Sequence, residues 1–303
     1  MELLKELQQI HSPSGSEEPM FNFILNYINT NKHTWKTIPR LYYGAGFQNT
    51  LIVVFGVPRT AVFAHVDTVG FTVRYNHQLV KIGGPHCETG YVLTGRDSKG
   101  DIECSLIVNE DKSLYYDYDR IIDRGTTLTF KPHWREDENF IQNCYMDNRL
   151  GVYNALHLCK TIAHGAIVFT CWEESGGGSA EFAAKWLYEN YGITQALISD
   201  ITWVTDGVKP GAGVAISMRD SGLPRTQFVN KIIALANQSN IPFQLEVESS
   251  GGSDGNALQR TSYPWDWCFI GAPEEHVHSP NERVHKHDVN SMLALYEYLI
   301  EKL

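Results

Sequence analysis

Two rhythms of apolar and polar positions run along this chain. Short β-branched runs such as Thr60-Ala61-Val62-Phe63-Ala64, Ile167-Val168-Phe169-Thr170, Ala196-Leu197-Ile198-Ser199, Gly213-Val214-Ala215-Ile216-Ser217 and Asp266-Trp267-Cys268-Phe269-Ile270 read as strands buried on both faces. Between them, apolar residues recur every three or four positions. That spacing predicts helices over residues 1–10, 150–163, 179–191, 225–239 and 288–303. In the helix of residues 179–191, Phe182, Ala183, Trp186 and Leu187 should face inward. A capping-box pattern, Ser14 with Glu17, predicts a further helix through Phe21, Ile24, Leu25 and Ile28. Short strands are expected over residues 35–42 and 50–55, and an extended stretch over 243–247. Strand–helix alternation of this kind predicts an α/β fold with a mainly parallel sheet flanked by helices.

From about Gly70 to Ile141 the rhythm changes. Alternating segments such as Phe71-Thr72-Val73-Arg74-Tyr75 and Ser105-Leu106-Ile107-Val108 recur between glycine turns, and helical spacing is scarce. Residues 70–141 therefore read as a small antiparallel β domain inserted into an α/β domain of residues 1–69 and 142–303. Residues 132–138 read as a polar return linker.

Charge and cysteine usage narrow the classes. A net charge of −10 with no Lys/Arg cluster argues against nucleic acid as a partner. No apolar run approaches membrane-spanning length, and the charged, amphipathic start lacks the apolar core of a secretion leader. The six scattered cysteines form no C-x-x-C pair and fit a reducing, cytoplasmic setting.

The chemistry gathers where strands end. The Ile167 run stops at two adjacent acids, Glu173 and Glu174, followed by Ser175-Gly176-Gly177-Gly178. Neighbouring buried acids repel each other, and a metal ion offsets that cost. Other strands end in, or lead shortly to, His65, Asp200 and His278, and Asp147 opens a helix. Parallel strands deliver their C-terminal ends to one edge of the sheet, so these groups should converge. Two histidines with three or four carboxylates suit a two-metal site. One Glu of the pair could ligate, and the other could take a proton from the attacking water. Residues two apart in an extended segment face the same way, so Asp67 can accept from the His65 ring.

Six segments then carry a resemblance. His65-Val66-Asp67-Thr68-Val69-Gly70-Phe71, Asp147-Asn148-Arg149-Leu150-Gly151, Glu173-Glu174, Ser199-Asp200, Gly251-Gly252-Ser253-Asp254 and His278-Ser279-Pro280-Asn281-Glu282 follow, in order, motifs of the M42 metallo-aminopeptidases. That family includes the glutamyl and tetrahedral aminopeptidases and lies within the clan of co-catalytic zinc exopeptidases. The resemblance implies a zinc-exopeptidase-like fold and two divalent ions per subunit, zinc with cobalt or manganese as alternatives. It implies that His65, Asp147 and Asp200 hold one ion and that Asp147, Glu174 and His278 hold the other. Glu173 would be the general base and Asp67 would steady His65. Asp254 and His276 are candidates for substrate contact. Peptides with a free N-terminus would be the substrates and a homo-oligomer the assembly. Thr68 stands where the family usually has Glu, and Gly271-Ala272-Pro273-Glu274-Glu275-His276-Val277 departs from the family's I-P-x-R-Y-I, so side-chain preference does not carry over. The competing functions are a related dinuclear deacylase or carboxypeptidase, and a non-catalytic protein that keeps the fold.

Overall fold

The structure is a computed structural model describing residues 1–303. An eleven-stranded sheet forms its backbone. At the centre, strands Gly165–Thr170, Ala61–His65, Gln195–Trp203 and Asp266–Glu275 lie side by side and parallel. The margins are antiparallel. Arg40–Gly44 and Gln48–Phe55 complete one side, and Arg283–His285, Phe140–Gln142 and Arg135–Glu136 complete the other. Val214–Arg219 and Phe243–Val247 branch from Asp266–Glu275.

Central strands have no polar face because helices cover both sides. In Ala61–His65, Val62 and Ala64 pack into one apolar cluster while Ala61 and Phe63 pack into the other, as a period of two requires. The larger cluster takes Leu4, Ile24, Leu150, Leu156, Ile232 and Leu299 from five helices. The smaller takes Ala180, Ala184 and Leu187 of helix Ser179–Tyr191 and Leu258 of helix Asp254–Arg260.

The antiparallel insert closes into a six-stranded barrel running from Gly70–Val73 to Thr127–Phe130. It has its own core, which includes Phe71, Leu93, Leu106, Leu128 and Phe130. Val69 and Tyr145, on the two stems that join the barrel to the sheet, pack into that core as well.

The local expectations depart from the structure at five points. The Gln195–Trp203 strand does not stop at Asp200, and the Asp266 strand does not stop at Ile270. They pair on together to Trp203 opposite Glu274, so Asp200 is an acid inside a strand. The return segment carries the Arg135–Glu136 strand, which pairs into the main sheet. The first marginal strand begins at Arg40, not near Trp35. Phe182 is 38% exposed and lies edge-on to Phe47. The Ser14–Glu17 capping box does not form. The helix starts at Glu18 with no side-chain cap, Glu17 accepts the Gly15 N–H, and Ser14 turns to Asp67.

Candidate active site

Parallel registration sets the first contacts. His65 ends its strand opposite Thr170, three residues before Glu173, and Asp200 lies on the strand to the other side. Asp147 reaches the same edge from the start of helix Met146–Thr161, where the backbone is not yet helical and the Asp147–Asn148 peptide is cis. Gly151 lets that helix lie against the Gln195–Trp203 strand, since a Cβ there would stand 2.1 Å from the Ser199 carbonyl oxygen. The Asn148 amide donates to the same carbonyl at 2.9 Å, which holds Asp147 beside Asp200.

Two groups of side chains form around Asp147. In one, His65 Nε2 lies 3.2 Å from Asp147 Oδ1 and 3.5 Å from Asp200 Oδ2. In the other, His278 Nε2 lies 3.1 Å from Asp147 Oδ2 and 3.2 Å from Glu174 Oε2. Within each group the nearest donor atoms all stand within 4.8 Å of one another. Glu173 flanks the first group, with Oε2 4.0 Å from His65 Nε2.

The donor set fits divalent cations. His278 Nδ1 donates to the carbonyl of Gly84 at 3.2 Å. A neutral ring so held turns an unprotonated Nε2 toward two carboxylates, which is favourable only if a cation lies between them. Asp147 Oδ1 and Glu174 Oε1 are buried without a hydrogen-bond partner, as open ligand positions would be. The electrostatics agree. Burial opposes the charged form of His278, but Asp147 and Glu174 outweigh it and push the ring up to about 12. His65 is likewise held well above the usual histidine range by Asp200, Asp147 and Asp67 against the effect of burial. Burial, reinforced by Asp147, raises Glu174 to about 7 and Asp200 to about 6. Glu173 is raised well above the ordinary range by burial, with Glu174 adding to it. Asp147 is lowered: its two histidine partners overcome burial. The site is thus a knot of acids that attracts positive charge.

Asp67 is fully buried, and its carboxylate accepts the backbone N–H groups of Glu173 and Glu174, each at 3.1 Å, and the Ser14 hydroxyl at 2.6 Å. His65 Nδ1 lies 3.5 Å from Asp67 Oδ1, an ion-pair distance that does not close a hydrogen bond. Asp254 is buried and accepts the Thr170 hydroxyl at 2.5 Å, with burial raising it to about 6. His276 is exposed with φ +62°. A cavity of about 580 Å³ opens over both groups and Glu173, and neither Asp254 nor His276 lines it.

The sequence reading gave no role to four residues that build the site. Gly84, from the barrel, orients His278. Glu282 accepts the N–H groups of Met146 and Asp147 at 2.5 and 3.3 Å. Arg149 is fully buried and donates to Val66 O, Ser12 Oγ and Ile10 O, pinning the segment between His65 and Asp67. Ser199 receives Asn148 and Asn154. Glu282, Arg149 and Ser199 were visible as parts of motifs, but a side chain that bonds to backbone leaves no spacing signal.

Comparison with known proteins bears on this arrangement. The fold is that of an aminopeptidase from the archaeon Desulfurococcus kamchatkensis, with TM-score 0.87 over 100% of this chain and 94% of that one at 21% identity. The TET1 peptidase of Pyrococcus horikoshii superposes with TM-score 0.84 over 100% of this chain and 99% of that one, at 24% identity. By sequence, a provisionally named aminopeptidase of Acetivibrio thermocellus is 33% identical over 162 residues, so the match spans 50% of this chain and about half (48%) of that relative. A second provisionally named aminopeptidase, from Bacillus subtilis, is 23% identical over 99% of this chain and 97% of its own. The profile of the M42 glutamyl aminopeptidases matches residues 96–295, a stretch that holds Asp147, the Glu pair, Asp200 and His278, and on that match the chain belongs to the M42 glutamyl aminopeptidase family of peptide hydrolases.

Proposed function

We propose that this protein is a metal-dependent aminopeptidase with a dinuclear centre. The observation that carries the proposal is the pair of His-carboxylate groups sharing Asp147, with Glu173 beside the first of them and lining the same cavity. His65, Asp147 and Asp200 would hold one divalent ion and Asp147, Glu174 and His278 the other, zinc being the metal that suits this donor set, with cobalt or manganese as alternatives. Such ions polarise a scissile carbonyl and make water a nucleophile at neutral pH.

The chain's own residues do the rest. Glu173 takes the proton from the attacking water and returns it to the leaving amine, and burial suits it to that exchange by raising its proton affinity. Asp67 fixes the main chain of both Glu residues, so the base and a ligand move together. Gly84 keeps His278 in one tautomer. The substrate is a peptide with a free N-terminus, whose ammonium group the surplus of acids attracts. Residues 1–69 and 142–303 form the catalytic part and 70–141 the barrel-bearing insert. TET1 assembles into a tetrahedron or an octahedral shell, and on that likeness a homo-oligomer is proposed here. No helix is long and apolar enough to cross a membrane, and six free cysteines suit the cytoplasm.

The test is hydrolysis of aminoacyl-p-nitroanilides and their N-acetylated counterparts by chelator-stripped protein, before and after Zn²⁺, Co²⁺ or Mn²⁺. Metal-dependent cleavage confined to free-amine substrates is expected. Cleavage of the acetylated set would favour a deacylase-type enzyme, and metal binding without any cleavage would favour a non-catalytic protein.

A further inference from the structure

Beyond the metal groups, the cavity continues along a wall whose charge the chemistry above does not use. Asp220, Glu246 and Glu248 lie near one another there, Glu181 lines the same cavity from helix Ser179–Tyr191, and Arg260 is the one arginine or lysine among the lining residues. None of the four acids forms a salt bridge, although Glu246 is 3% and Asp220 8% exposed. Buried carboxylates normally have a cationic partner. Arg219, next to Asp220 in sequence, donates its guanidinium to the carbonyls of Asp220 and Glu248 and reaches the Asp220 carboxylate only through its charge, while that carboxylate accepts the Gly222 N–H at 2.5 Å.

The acids are placed as a wall. Glu246 points inward from strand Phe243–Val247, while its neighbours Leu245 and Val247 are exposed. The Thr202 hydroxyl donates to Glu246, which ties the wall to the strand carrying Asp200 two residues earlier. Burial raises the Glu246 carboxyl, and the nearby charges of Glu248 and Asp220 add to that, so an entering cation would relieve both. Asp220, Glu246 and Glu248 do not bring their oxygens together within 4.8 Å, as the two metal-type groups do. Dispersed acceptors suit a long side chain with a delocalised or mobile charge better than a small ion. Trp203 also lines the cavity, and an indole can pack against an aliphatic stem and its charged tip.

We infer that the N-terminal residue selected by this enzyme is lysine or arginine, and that Asp220, Glu246 and Glu248 are the groups that recognise its charge. The inference rests on the aminopeptidase reading and deepens it. It runs against the preference that the family's glutamyl name would suggest: a glutamate side chain would meet this wall as a like charge, with Arg260 alone to receive it.

The experiment is steady-state hydrolysis of Lys-, Arg-, Leu- and Glu-p-nitroanilide by the full-length, metal-loaded enzyme and by Glu246→Gln and Glu248→Gln. The expected kcat/KM for Lys and Arg exceeds that for Leu by about 10-fold and that for Glu by about 100-fold. Each Gln variant should lower the Lys-to-Leu ratio by about 5-fold or more, mostly through KM. Leu or Glu as the preferred residue overturns the inference and leaves the aminopeptidase reading standing. A proportional loss on every substrate in both variants also overturns it, by assigning the acids a structural role. Cleavage of none of the four, with metal bound, overturns both.

Discussion

Asp67 and Glu173 meet through the main chain: Asp67 Oδ1 accepts the Glu173 N–H at 3.1 Å while Oδ2 accepts that of Glu174. One buried carboxylate thereby fixes the candidate base and a candidate ligand. Asp67→Asn would turn an amide donor toward one of those N–H groups or the Ser14 hydroxyl. Metal affinity should fall by about 10- to 100-fold, read by competition with a chelating dye. Unchanged affinity would remove the positioning role.

Glu173→Gln separates chemistry from metal binding. The amide keeps the size of the side chain and cannot accept the proton. A drop in kcat of about 10²- to 10⁴-fold with unaltered metal content is expected, from p-nitroanilide hydrolysis and elemental analysis of one preparation. Retained activity would mean that another group moves the proton.

Gly151→Ala tests how closely the helix must approach the sheet. The new methyl would lie 2.1 Å from Ser199 O and 2.2 Å from Asn148 Oδ1, so the helix has to retreat. Asn148 and Ser199 directly adjoin Asp147 and Asp200. Stability should fall by about 1–3 kcal/mol in urea titrations, and weaker metal binding should accompany it. Loss of stability with full metal affinity would show that the ligands tolerate the retreat.

The metal-free protein should lose stability as pH rises. Burial raises Glu174 to about 7 and Asp200 and Asp254 to about 6, above the ~4 of an unfolded chain. Between those limits the folded state holds more protons than the unfolded one, so stability declines with increasing pH. His278, raised to about 12, acts in the same direction: its contribution is complete below about 6.5 and fades above. Asp147, shifted the other way, acts only in more acid solution. The Tm of chelated protein should therefore be lower at pH 8 than at pH 5, and zinc should raise it more at pH 8. Equal zinc-induced shifts at both pH values would contradict this.

The fold and the residues that meet in the metal-type groups were legible because strand ends obey topology. His65, Glu174 and Asp200 converge once the sheet is parallel, and burial on both faces is written in the composition of those strands. Asp200 was read as a strand end because a charge interrupts an apolar run, whereas pairing with Asp266–Glu275 carries the strand past it. Ser14 looked like a helix cap, and only the folded chain brings it to Asp67, fifty-three residues away. The Gly84 carbonyl left no trace, since every residue has one. The acidic wall left no motif, because Asp220 stands on one segment and Glu246 and Glu248 on another.

The barrel is held to the rest of the molecule at more than its two stems. Its Gly84 carbonyl receives His278, and the His86 N–H donates to the His278 carbonyl at 2.8 Å. A shortened chain that joined the stems and discarded the barrel would keep every candidate ligand yet free the His278 ring to turn over. The insert is in this sense a fixture of the candidate site, since it orients a candidate ligand as well as burying Val69 and Tyr145 of its own stems.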